Sequence, residues 1–96
     1  MSARDSFVEL GYEVRDHKLL ELPEPGTWST QDEPTLTYFQ KEGLGEEVIT
    51  FHGYEHLVRV YGMLAGRGVP APLNPEEVKA IYQQMVELGW MEEQNE

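Results

Sequence analysis

Histidines and carboxylates are the residue types in this chain whose spacing comes nearest to chemistry. His52-Gly53-Tyr54-Glu55-His56 matches the pattern H-x-x-E-H, in which a helix aims two histidines at zinc and the glutamate serves as general base. The glycine within it argues for a turn instead of a helix, and a catalytic zinc needs a third protein ligand on a defined scaffold. Turn-flanking surface histidines, able at most to take up metal adventitiously, are the expectation. Gly43-Leu44-Gly45 opens like a dinucleotide fingerprint, but position 48 is Val and no βαβ unit surrounds it; a hairpin turn fits better. Ser2, Ser6 and Ser29 sit in no nucleophile elbow, and three scattered histidines offer no ordered base. Carboxylates are plentiful, yet an acid–base pair needs two contrasting environments and not mere number. Neither enzymatic activity nor a cofactor is expected.

The elements that would carry these residues can be read from caps and periodicity. Ser2 followed by Asp5 makes a capping-box-like start, and Ala3, Phe7 and Leu10 fall at helical spacing. Gly11 is placed to stop that helix in the left-handed conformation, with Tyr12 folding back onto its last turn. At the other end Asn74 caps, Pro75 takes the first helical position, and Glu76 and Glu77 lie at the positive end of the dipole. Val78, Ile81, Tyr82, Met85 and Leu88 are the expected apolar face, and Gly89 with Trp90 repeats the helix stop. Between the helices the period becomes two. Thr35 to Lys41, Glu47 to His52 and His56 to Tyr61 read as an antiparallel β-meander, its turns at 42–45 and 53–55. A fourth strand over 17–22 is weaker, and 12–15 could pair with it. Residues 23–34, rich in proline, and 66–72 read as loops, and residues 91–96 as a frayed tail. The fold class expected is α+β, one domain over 1–96: a short N-terminal helix, a three- to four-stranded antiparallel meander, and a C-terminal amphipathic helix, both helices on one sheet face.

Composition narrows the class of partner. The chain has 96 residues, 18 acids against 7 bases, a net charge of −11 and no cysteine. Disulfides, thiolate metal sites and cysteine nucleophiles are thereby excluded. Hydrophobic residues at 40% are too many for a disordered acidic chain. No run of about 18 apolar residues is present to span a membrane, and the first residues lack a signal peptide's basic start; a cytoplasmic protein is expected. A surface of this sign repels nucleic acid and anionic lipid and attracts basic proteins. Arg59 and Arg67 are too few to line a nucleic-acid groove. The solvated-surface alternative is that the charge serves solubility alone.

The terminal motifs also carry a resemblance. Ala3-Arg4-x-x-Phe7-x-x-Leu10-Gly11-Tyr12 and Asn74-Pro75-Glu76-Glu77-Val78-x-Ala80-Ile81-x-x-Gln84-x-x-Glu87-Leu88-Gly89-Trp90 look like small phage and prophage proteins of Gram-positive bacteria. Those typically open with a helix ending Leu-Gly-Tyr and close with one ending Glu-Leu-Gly-Trp. The likeness covers both termini and only loosely the strands between. It implies a phage accessory protein acting in the host cytoplasm, an anti-CRISPR protein being the most specific form. Such an inhibitor would occupy the basic cleft of a nucleic-acid enzyme such as a CRISPR effector nuclease, since carboxylates can compete with the phosphates of DNA. The candidate partner-binding residues are Trp28, Asp32, Glu33, Glu42, Glu46, Glu47, Arg67, Glu76 and Glu77, with apolar contact from Trp28 or the 62–72 loop. The alternative is an assembly module acting by homo-oligomerisation or contacts within a phage particle.

Overall fold

The computed structural model describes residues 2–21 and 34–91. Contacts gather the chain into two compact units: Met1–Tyr12 with Pro72–Glu96, and Glu13–Ala71. The class is α+β, with an antiparallel five-stranded sheet and helices near both ends of the chain.

In the first unit, helix α1 (Ala3–Glu9) packs against the C-terminal helix, Pro75–Glu87. Both start with complete capping boxes. Ser2 Oγ accepts from the Asp5 N–H at 3.1 Å while Asp5 Oδ2 accepts from the Ser2 N–H at 3.2 Å, and Asn74 exchanges the same pair with Glu77. Both end in Schellman motifs. Gly11, at φ 97°, donates to the Val8 carbonyl and Tyr12 to that of Phe7; Gly89, at φ 78°, donates to Val86 and Trp90 to Met85. The Tyr12 ring then stands edge-on to Phe7 at 5.6 Å.

The buried face of the C-terminal helix differs from the one its apolar residues suggested. Glu77, Ala80, Ile81 and Gln84 are buried, whereas Val78 and Tyr82 are exposed. One contact from the N-terminal segment holds this face inward: Tyr12 ties down Glu77 through its hydroxyl, and Ala80 is buried on the same side.

The second unit is the sheet, in the order β1 (Glu13–Asp16), β2 (Thr35–Glu42), β3 (Gly45–His52), β4 (Leu57–Leu64) and β5 (Arg67–Val69). The three expected strands form the meander with slightly longer bounds. The expected strand over 17–22 is instead a one-turn helix, α2 (Lys18–Glu21). Asp16 redirects the chain there: its Oδ1 accepts the Lys18 N–H at 3.1 Å, a local bond that competes with strand pairing. The strand lies just before, over 13–16, and a short β5 replaces part of the expected 66–72 loop. Leu36, Tyr38, Ile49 and Phe51 share one face by register and are fully buried, with Tyr38 and Phe51 edge-to-face at 6.2 Å. Thr37, Val48 and Thr50 are buried on the other face, where the two threonine hydroxyls meet at 3.3 Å. No helix among the described residues is long and apolar enough to cross a membrane.

Candidate functional site

Of the described residues expected to meet a partner, Glu42, Glu46, Glu47 and Arg67 belong to the sheet unit and Glu76 and Glu77 to the helical one. Trp28, Asp32 and Glu33 lie outside the described residues. Glu42 ends β2 opposite Gly45. Glu46 and Glu47 are consecutive on β3, so their side chains leave opposite faces of the sheet. Each has a neighbour: Glu46 forms an ion pair with Arg15, and Gln40 Nε2 donates to Glu47 Oε2 at 2.9 Å. Arg67 opens β5 opposite Leu64 and is exposed.

At the C-terminal helix the two glutamates part company. Glu76 is exposed, with Lys79 Nζ 4.0 Å from its carboxylate. Glu77 is 5% exposed and belongs to the fold. One carboxylate oxygen accepts from the Tyr12 hydroxyl and the other from the Asn74 N–H at 2.9 Å. A buried carboxylate held in this way is a structural acceptor, not a docking group, so Glu77 leaves the candidate surface. The sequence signal for its role was present in the Asn-x-x-Glu capping box; the Tyr12 partner, 65 positions away, was not legible.

One acidic residue missed by sequence reasoning takes its place. Glu9 of α1 and Glu76 line the same shallow cleft of about 320 Å³ between the two helices, together with Ser6, Leu10, Lys79 and Gln83. Ser6 Oγ donates to Gln83 Oε1 at 3.1 Å across its floor, and Glu87 Oε2 accepts the Ala3 N–H at 2.8 Å beside it. The two exposed carboxylates therefore come together from positions 67 residues apart.

His52 and His56 stand at the two ends of the connection between β3 and β4. His52 ends β3, and His56 sits at φ 54° just before β4. Among the described residues no group of three or more His, Cys, Asp or Glu is placed to hold a metal ion. The motif has become a tight four-residue connection over 53–56. Gly53 is needed there because a Cβ would stand 2.8 Å from Leu19 and Pro34 side-chain atoms, while its N–H donates to the Pro34 carbonyl at 2.9 Å.

Comparison with protein-family models, with curated proteins and with solved structures found no match. The likeness to phage proteins thus rests on the terminal motifs, and much of those motifs consists of the caps and Schellman stops described above.

Proposed function

We propose that this chain is a non-enzymatic binding protein that docks an acidic surface onto a basic, nucleic-acid-binding partner, an anti-CRISPR-like inhibitor from a phage or mobile element being its most specific form. The observation that carries this reading is the charge: 18 acids against 7 bases, with the exposed carboxylates Glu9 and Glu76 brought to one cleft by the helix pair. Carboxylates steer association with a cationic groove and make it salt-dependent.

The test is a titration of a CRISPR effector–guide complex with this protein at about 50 and 300 mM NaCl, a range over which a contact of several charges weakens strongly. Binding that falls with salt, competes with target DNA and slows in association when Asp32 and Glu33 are reversed in charge supports the proposal. Salt-insensitive binding with an unaltered on-rate sinks it.

The second reading, an assembly module, is favoured by Val78 and Tyr82, one turn apart on the C-terminal helix at 51% and 43% exposure. Sedimentation velocity tests it: a mass that rises with concentration and reverts to monomer in Tyr82→Glu favours assembly over inhibition.

A further inference from the structure

Two tight turns stand side by side at one end of the sheet. Gly43-Leu44 joins β2 to β3 and Ala65-Gly66 joins β4 to β5, and the pairing of Gly45 with Leu64 sets them adjacent. Between them opens a notch of about 600 Å³ whose lining includes Arg15, Lys41, Leu44, Glu46 and Met63.

Leu44 is 95% exposed. The turn requires a left-handed residue only at Gly43, at φ 60°, in the sense of a type II′ turn. The second central position suits polar residues, so the fold does not call for leucine there. Covering so exposed an apolar side chain against a partner is favourable in proportion to the area removed from water.

The charge at this notch runs against the rest of the chain. Register places Lys41, Glu46 and Met63 on one face. Arg15 is the extra residue of a β-bulge between Val14 and Asp16, a device that re-aims a side chain. Its guanidinium lies 4.0 Å from the centre of the Phe39 ring and pairs with Glu46 through one nitrogen, and the side chain keeps further N–H donors while 48% exposed. Lys41 is exposed and forms no ion pair among the described residues, although the chain holds more than two acids for every base.

We infer that this notch docks an acidic, leucine-bearing segment of a partner protein. A partner carboxylate meets Lys41 and the further donors of Arg15, an apolar side chain seats against Leu44 and Met63, and Glu46 repels a carboxylate from any other register. The preference is opposite in sign to that of the acidic cleft, so this site stands or falls independently of it.

The test follows backbone amide resonances of the ¹⁵N-labelled full chain. Three probes are added separately: a seven-residue peptide alternating Glu and Leu, its Lys–Leu counterpart, and vesicles containing phosphatidylserine. The Glu–Leu peptide should give saturable shifts confined to residues 41–46 and 63–66, with the Lys–Leu peptide several-fold weaker. Leu44→Ser should weaken binding about tenfold, and Lys41→Glu should invert the peptide preference; both positions are exposed, so unchanged spectral dispersion certifies the fold. Equal binding of the two peptides, shifts centred elsewhere, or no shift at millimolar peptide overturns the proposal. So does a response to vesicles alone, which assigns the tip to lipid. Shifts at these residues on raising the protein concentration alone assign the notch to a second copy and overturn it as well.

Discussion

Tyr12 and Glu77 show how much depends on one pair of atoms. The hydroxyl of a buried tyrosine donates to a buried carboxylate, and removing one partner leaves the other desolvated and unsatisfied. Tyr12→Phe is expected to destabilise the protein by about 1–3 kcal/mol, a fall in Tm of several degrees or more for a domain of this size, read by thermal unfolding. Asp16 acts at the same scale through pH. Burial pushes its carboxyl up, but the Thr35 hydroxyl, at 2.6 Å, and the Lys18 N–H outweigh that and hold it below the usual carboxylate range. A carboxylate whose pKa falls on folding stabilises the protein above its unfolded pKa, about 3.9. That stability is lost as pH drops through the lower folded value. The contribution of Asp16 is therefore present at neutral pH and disappears below about pH 4. In urea unfolding at pH 7, 4 and 3, Thr35→Val should lose less stability on acidification than the parent does.

At the scale of the element, the two turns beside the notch differ in how well their residues suit them. Ala65 and Gly66 both have positive φ, at 52° and 78°, as a type I′ turn requires. Alanine in that region carries a strain of about 1–2 kcal/mol, so Ala65→Gly should be neutral to stabilising by up to about 1 kcal/mol once glycine's greater unfolded freedom is subtracted. Gly45 is the contrary case. A Cβ there would lie 2.4 Å from the Met63 carbonyl oxygen on β4, so Gly45→Ala must push two strands apart, at a cost of about 1–3 kcal/mol or more. Chemical denaturation of the two variants, one raised or unchanged in midpoint and one lowered, checks both statements.

For the whole molecule, the dominant quantity is the net charge of −11. Among the described residues, Glu46 pairs with Arg15 and Glu76 with Lys79. Like charges distributed over so small a chain repel one another and weaken the compact state. Screening should reverse this: between about 10 and 300 mM NaCl the Debye length falls from about 30 Å to below 10 Å, and Tm should rise by a few degrees. A Tm independent of salt would mean that the acids are spaced widely enough not to feel one another, which would also remove the basis for steering a cationic partner.

What the sequence determined by itself was local. Capping boxes, Schellman stops and alternation depend on residues within about six positions of one another, so Ser2, Asp5, Gly11, Asn74, Pro75 and Gly89 announced both helices, and the β-branched runs announced β2, β3 and β4. The resemblance to phage proteins drew on these same local signals. Only the tertiary structure decided which face each element buries. Val78 and Tyr82 fell on the same periodic face as Ile81, but in the fold Glu77, bonded to the distant Tyr12 hydroxyl, and Gln84 are the residues that go inward with Ile81. It likewise decided which charges meet, bringing Glu9 to Glu76 and, through a bulge, Arg15 to Glu46. Such pairings join residues tens of positions apart, and neither periodicity nor composition holds any record of them.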